Sequence, residues 1–258
     1  MSVSLKTARQ QQILQAIRND QQVTVATLSE RYSVSEVTVR RDLSELEEAG
    51  TLRRVHGGAV LVEQAASEPP VVQRLHEHEA LKNAIGRAAA ALVRDGDTLF
   101  LGSGSTTAYV ARYLTDHKDL TVITNALTVA YELALAGGVT VVVTGGVMRI
   151  SELSLIGHLT EAAVRELHVD KVIIGMRAIS SVEGMTHDYL PEVMTDRAIL
   201  QMAENLVVVA DHTKLGKVGP VFVAPTERIR TLVTDSVADG KYLDELKALG
   251  IQIVVAKC

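Results

Sequence analysis

Apolar positions follow two different rhythms along the chain. Over the first sixty residues the spacing is helical. Ile13, Leu14 and Ile17 set among Gln, Arg and Asn predict an amphipathic helix over about residues 5–19, ended by Asn19-Asp20. A second helix is expected from Val25 to Tyr32, capped by Thr24 with Leu28 facing inward, and a third from Glu36 to Ala49, capped by Ser35 and stopped by Gly50. Only Ser33-Val34-Ser35 separates the last two, so they must cross steeply, as in a helix-turn-helix. Residues 51–60 then read as two short strands joined near Gly57-Gly58, a hairpin that makes the wing.

The second rhythm alternates strand and helix. Residues 63–70 are rich in Ala, Ser, Glu and Pro and end in Pro69-Pro70, which cannot continue a helix. This gives three expected segments: a winged helix-turn-helix domain over 1–62, a linker over 63–76 and an α/β effector-binding domain over 77–258. After a connecting helix from Glu77 to Arg94, apolar runs of strand length fall at 98–101, 121–124, 139–144, 171–175, 206–210, 231–234 and 251–255. Helical segments at 106–114, 127–135, 159–167, 193–203 and 241–249 separate most of them. The fold class is therefore α/β, with a mostly parallel sheet covered on both faces.

Composition narrows the function. The chain has 258 residues, 47% hydrophobic and 22% charged, enough for a sizeable core. Its single cysteine, Cys258, excludes an intramolecular disulfide or a zinc site of paired thiolates and fits a reducing compartment. With neither a signal-peptide pattern nor a long apolar run, a cytoplasmic location is expected, nucleoid-associated when operator-bound, with no membrane partner. The histidines form no convincing metal set; His76-x-His78 reads as a solvated charged face, and neither a metal nor another cofactor is expected. The net charge is −5, but residues 1–62 carry eight Lys or Arg against seven Asp or Glu, and Arg40, Arg41, Arg53 and Arg54 lie close in sequence. A local basic footprint on an acidic chain suits a specific reader of double-stranded DNA.

On the third helix Val39, Leu43 and Leu46 share one face, whereas Val37, Arg41 and Ser44 point away, flanked by Thr38 and Arg40. An exposed arginine there can bond a guanine edge in the major groove, while Ser35, Thr38 and Ser44 can meet phosphates or a thymine methyl. Arg53, Arg54 and His56 on the wing fall near phosphates or the minor groove. The competing reading is a helical hairpin, or a protein-binding module, whose arginines simply pair with Glu45 and Glu47.

In the second domain, Leu99-Phe100-Leu101 runs into Gly102-Ser103-Gly104-Ser105-Thr106-Thr107 and then a helix. Glycines let the backbone approach a ligand, and hydroxyls and helix N-terminal amides can hold an anion such as a phosphate. The same turn can also merely cap the helix. A dinucleotide site is disfavoured because Thr107 replaces the third glycine of the fingerprint, and the lysine of a nucleotide-binding P-loop is absent. Asn125, Gly146, Asp211 and Lys214 follow other strands, where ligands of open α/β sheets sit, so Lys214 is expected to complement a phosphate and Asn125 and Asp211 to address hydroxyls.

Arg9-x-x-x-Ile13, Ser35-Glu36-Val37-Thr38-Val39-Arg40-Arg41-Asp42-Leu43 and Arg54-Val55-His56-Gly57-Gly58-Ala59 resemble the N-terminal module of the DeoR family of bacterial repressors. The resemblance continues through residues 97–107, Thr124-Asn125, Gly145-Gly146-x-x-Arg149, Gly157, Arg197-Ala198 and Asp211-x-Thr213-Lys214-x-Gly216. It implies a DNA-contact role for Thr38, Arg40 and Arg41, an orienting role for Asp42, and an effector domain similar to ribose 5-phosphate isomerase that binds a phosphorylated sugar and relieves repression. Asp196 departs from the family's common basic residue before Arg-Ala, and His187-Asp188-Tyr189, with Asp188 as a further effector contact, bears on which ligand fits. The function expected is repression of a carbohydrate-utilisation operon by a homo-oligomer, dimer or tetramer, on operator DNA. The alternative is a sugar-phosphate isomerase with an appended DNA-binding module, using Asp188 or Glu192 with Lys214.

Overall fold

A computed structural model describes residues 9, 10, 12, 13, 16, 22–48, 52–55, 58–61 and 69–257. The chain divides into two compact units, Met1–Ser67 and Glu68–Cys258.

In the first unit β1 (Gln22–Thr24) precedes α1 (Val25–Tyr32) and α2 (Glu36–Glu48), followed by the hairpin of β2 (Leu52–Val55) and β3 (Gly58–Leu61). The Thr24 side chain accepts from the Thr27 N–H, as expected of the cap. Ser33 turns left-handed at φ 52° and its N–H closes on the carbonyls of Ser29 and Glu30. Ser35 accepts the Thr38 N–H at 3.2 Å and caps α2, which starts at the next residue. The short turn is thus built from hydroxyl caps and one strained residue. The wing hairpin is joined by β1, which pairs antiparallel with β3 in a three-stranded sheet ordered β1-β3-β2. β1 is too short, and too closely joined to the Thr24 cap, to carry a strand period of its own.

Ile13, Ala16, Val23, Val25, Leu28, Val39, Leu43 and Leu46 form the core of this unit. Arg9, Gln10, Gln12, Ile13 and Ala16 are helical, whereas Leu14, Ile17, Asn19-Asp20, Ala49-Gly50 and the wing tip with His56 lie outside the described residues.

The second unit begins before the expected end of the linker. Residues 69–76 pack onto it, with α3 (Val71–Arg74) burying Val71 and Arg74. The Val71 N–H also donates to the Ser151 carbonyl. Two consecutive prolines mark an extended start but do not keep the next turn in solvent when a valine and a paired arginine can be buried. The connecting helix is shorter than its apolar pattern suggests, α4 (Glu79–Ala90).

A seven-stranded parallel sheet follows, ordered β15-β14-β12-β9-β4-β5-β6 in chain numbering. Its strands are β4 (Thr98–Leu101), β5 (Leu120–Thr124), β6 (Val139–Val143), β9 (Lys171–Gly175), β12 (Leu206–Val209), β14 (Thr231–Asp235) and β15 (Gln252–Ala256). Helices α5 (Ser105–Arg112), α6 (Leu127–Leu133), α7 (His158–Arg165), α8 (Leu190–Leu200) and α9 (Gly240–Ala248) complete the alternation. Period-2 side chains feed two cores. Phe100, Val172, Ile174 and Val208 enter one, and Leu99, Leu101, Ile173, Val207 and Val209 enter the other.

Five short strands interrupt this pattern: the hairpin β7 (Val147–Arg149) and β8 (Ser154–Ile156), and the antiparallel sheet of β10 (Ala178–Ser180), β11 (Gly184–His187) and β13 (Val221–Ala224). Each has three or four residues, below the length at which alternation can be read.

Gly146 enters β7 at φ 131°, and a Cβ there meets Thr160 Oγ1 at 2.2 Å and the Ile156 carbonyl at 2.9 Å. Gly146→Ala is expected to destabilise the protein by roughly 2–4 kcal/mol through strain and overpacking. Urea denaturation measures this; a change below about 0.5 kcal/mol is incompatible with so close a contact.

Candidate functional site: a cavity at the strand ends and an exposed helix face

The chain lays down β4, β5 and β6 in one direction, then places β9 on the other side of β4 and continues outward. The loops leaving β4 and β9 therefore diverge, which opens a crevice at their carboxyl ends. A cavity of about 140 Å³ lies there. Gly102 to Thr106 come from the β4 end, Asn125 from β5, Gly175 to Arg177 from β9, and Asp211, Thr213 and Lys214 from β12.

The loop residues are arranged to hold an anion. Gly104, at φ 129°, is the N-cap of α5 and makes no side-chain capping bond, so the first-turn amides lack that partner. Thr107 turns its hydroxyl back to the Gly104 carbonyl at 2.9 Å and is buried, which leaves Ser103, Ser105 and Thr106 on the cavity. Unsatisfied amides at a helix start attract negative charge.

Eight expected effector residues line this cavity together: Gly102, Ser103, Gly104, Ser105, Thr106, Asn125, Asp211 and Lys214. Three lie outside the lining. Thr107 stabilises the loop instead, Gly146 serves the close packing described above, and Asp188 pairs with Arg177 at 3.1 Å. The Arg177 and His187 contacts hold Asp188 well below the usual carboxylate range against the opposing effect of burial.

Of the other lining groups, Arg74, Lys82 and Arg177 escaped sequence reasoning. Arg74, on the segment read as linker, is buried against Glu152 in an ion pair, and its carbonyl accepts from Lys82 Nζ. Burial pushes the Lys82 ammonium below its ordinary value. Arg177 follows β9, a strand end whose signal was available but contains no run of loop-type residues. α8 supplies Glu192, a candidate in the isomerase alternative, and Asp196, the departure from the family pattern. Glu192 is gripped by Arg149, with Ser154 Oγ at 3.3 Å, Ser103 Oγ at 3.4 Å and His187 Nε2 at 3.5 Å. His187 Nδ1 stands 2.9 and 3.1 Å from the backbone nitrogens of Asp188 and Tyr189 and 3.1 Å from Asp188 Oδ1, while its Nε2 faces Glu192. Burial works against the charged ring, but the Asp188, Asp196 and Glu192 carboxylates raise it above its ordinary value. Spacing alone could have paired Glu192 with Asp196, since they stand four apart on one helix.

In the first unit the exposed face of α2 is as expected. Val37 is 73% exposed, while Val39 and Leu43 are fully buried. Ser35 and Thr38 share a hydroxyl contact of 2.9 Å at the helix start. The arginine pairings within the helix exist, Arg40 with Glu36 at 2.6 Å and Arg41 with Glu45 at 3.5 Å, but all four side chains stay largely in solvent or near it, where such pairs exchange readily for phosphate. Asp42 is 1% exposed and takes two bonds from Arg9, at 2.5 and 3.1 Å, so it anchors the first helix to α2. Ser44 lies half-buried on α2 and Arg53 and Arg54 lie on β2.

A winged helix-turn-helix in one unit and a ligand-sized polar cavity at the strand ends of another define a ligand-responsive transcription regulator. Residues 9–65 match the DeoR-like helix-turn-helix domain and residues 77–236 the DeoR C terminal sensor domain. The chain belongs to the DeoR family and is a DNA-binding transcriptional regulator, not an enzyme. It is 36% identical to the transcriptional repressor AccR of Agrobacterium fabrum, over 88% of this chain and 89% of that one. It is 31% identical to the glycerol-3-phosphate regulon repressor of Escherichia coli, over 90% and 91%. Among solved structures, ribose 5-phosphate isomerase A of Methanocaldococcus jannaschii overlaps 54% of this chain and 55% of its own at a TM-score of 0.40 and 19% identity. Among the described residues no helix is long and apolar enough to cross a membrane.

Burial, and then the neighbouring Glu192 carboxylate, push Asp196 up to about 7, with His187 and Arg149 opposing. An acid raised in the folded state stabilises fully below its unfolded value and loses that contribution as pH rises through the folded one. Stability is therefore expected to fall from about pH 4 to pH 7 through this group, and Asp196→Asn to melt above the parent near pH 8 with the gap closing near pH 4. Thermal unfolding at the two pH values checks this; a gap independent of pH contradicts it.

Proposed function

We propose that this regulator represses a carbohydrate-utilisation operon and that a phosphorylated sugar, bound in the cavity of the second unit, controls it. The observation that carries the reading is the uncapped start of α5 behind Gly102-Ser103-Gly104, opening into a cavity that also holds Lys214. A phosphate supplies the acceptor oxygens those amides lack, and Asn125 and Asp211 meet sugar hydroxyls. Repressor relatives named for the aga operon and for the glycerol-3-phosphate regulon support the substrate class.

On the DNA side, Arg41, Arg40 and Thr38 read or anchor the major groove, Ser35, Val37 and Ser44 border that contact, and Arg53, Arg54 and His56 serve the wing. A homo-oligomer, dimer or tetramer, binds paired half-sites in the cytoplasm. The effector acts by shifting the population of DNA-competent states.

Titration of the promoter next to the gene in a gel shift tests both halves. Arg41→Ala is expected to lower operator affinity by about ten-fold or more; unchanged affinity removes α2 as the recognition helix. Lys214→Met is expected to leave operator binding intact while weakening sugar-phosphate binding by about ten-fold. Equal sugar-phosphate affinity in the two proteins places the phosphate elsewhere.

A further inference from the structure

Two groups of charged side chains line the cavity. The charges acting most on Lys82 are Asp211, Arg74, Glu77 and Lys214, whereas those acting most on Asp196 are Glu192, His187 and Arg149. One side, beside the start of α5, carries Arg74, Lys82 and Lys214 along with the Glu77, Asp211 and Glu152 carboxylates, the last paired with Arg74. The other, on α8, carries the Glu192 and Asp196 carboxyls one helical turn apart, with Arg149 paired to Glu192 and the His187 ring beside them.

The two carboxyls are not equally engaged. Glu192 is consumed by Arg149, Ser154 and Ser103. Among the described residues no hydrogen bond or ion pair engages the carboxyl of half-buried Asp196, and the strongest charge effect on it, from Glu192, is repulsive. A second acceptor on the cavity is also unanswered: Asn125 is 1% exposed, its Nδ2 donates to the Leu155 carbonyl, and its Oδ1 has no partner. The buried Asn125 acceptor without a donor is costly, and so is one carboxyl held beside another. Both costs are removed by a ligand that brings N–H donors and positive charge. A second anionic group, as in a bisphosphate or a phosphorylated sugar acid, has to compete with Glu192 and Asp196 for Arg149 and His187 on this wall.

Resting on the sugar-phosphate reading above, we propose that the preferred effector is an amino sugar phosphate, with its phosphate at the Gly102–Thr106 loop and Lys214 and its ammonium against Asp196 and Glu192. Asp196 is then the residue that sets specificity. A neutral sugar phosphate satisfies the loop and Lys214 and leaves Asp196 unanswered, so it binds through the phosphate half alone.

The test is calorimetric titration of the full chain with hexose 6-phosphates that differ only at C2, in both the gluco and galacto series: hydroxyl, ammonium and acetamide. The ammonium compound of at least one series is expected to bind about ten-fold tighter than its two counterparts, the gain of one charge-assisted contact. In Asp196→Asn, expected to fold at least as stably as the parent, that ratio falls to within about two-fold. Equal affinity for all three forms overturns the ammonium assignment and leaves the sugar-phosphate reading standing. A preference that survives Asp196→Asn overturns the role of Asp196. Failure of every hexose phosphate to bind overturns both readings together.

Discussion

The second unit depends on a single topological constraint: β9 lies beside β4 instead of beside β6. A parallel sheet buried on both faces leaves its strand ends as the place where polar groups can gather, and reversal of the strand order separates two adjacent loops. The Gly102–Thr107 turn fills one side of that gap and Gly175 to Arg177 the other. The cores on either face fix the strands, and the strands fix where the loop amides point.

Around this crevice the charged residues are arranged as linked pairs that tie separate elements together. Arg74 joins α3 to Glu152 of the loop between β7 and β8, Arg149 joins β7 to Glu192 on α8, and Arg177 joins the β9 end to Asp188. Tyr189 adds a ring face 4.3 Å from the Arg149 guanidinium. Removing one member of such a buried pair strands its partner, so the cost exceeds the worth of the pair itself. The same pairs give a ligand a way to act. An anion at the loop competes with Glu192 for Ser103, and Glu192 is the link to the β7–β8 hairpin and α8.

Much of this was legible in the residue pattern, and what was missed has physical reasons. The seven sheet strands announce themselves as apolar runs; the inner ones are buried on both faces, whereas the edge strands β6 and β15 keep part of their valines in solvent. The helix-turn-helix is readable because its turn is short and its caps are hydroxyls. The three-residue strands carry no period, and β1 overlaps a helix cap. Arg74, Lys82, Glu192 and Asp196 come from helices and from a segment that looks like linker, so their convergence exists only in three dimensions. Gly146 and Asp188 occupy family-like motifs yet serve packing and an ion pair, and Thr107 is spent on its own loop. Motif position led to eight residues that line the cavity and missed at these three.

The central claim is that the start of α5 is the anion seat of the sensor. A crystal structure of the protein with a bound hexose phosphate tests it most directly. The account predicts the phosphate within hydrogen-bond distance of the Ser105 and Thr106 amides, with Lys214 Nζ beside it. A phosphate bound away from the Gly102–Thr106 loop contradicts it.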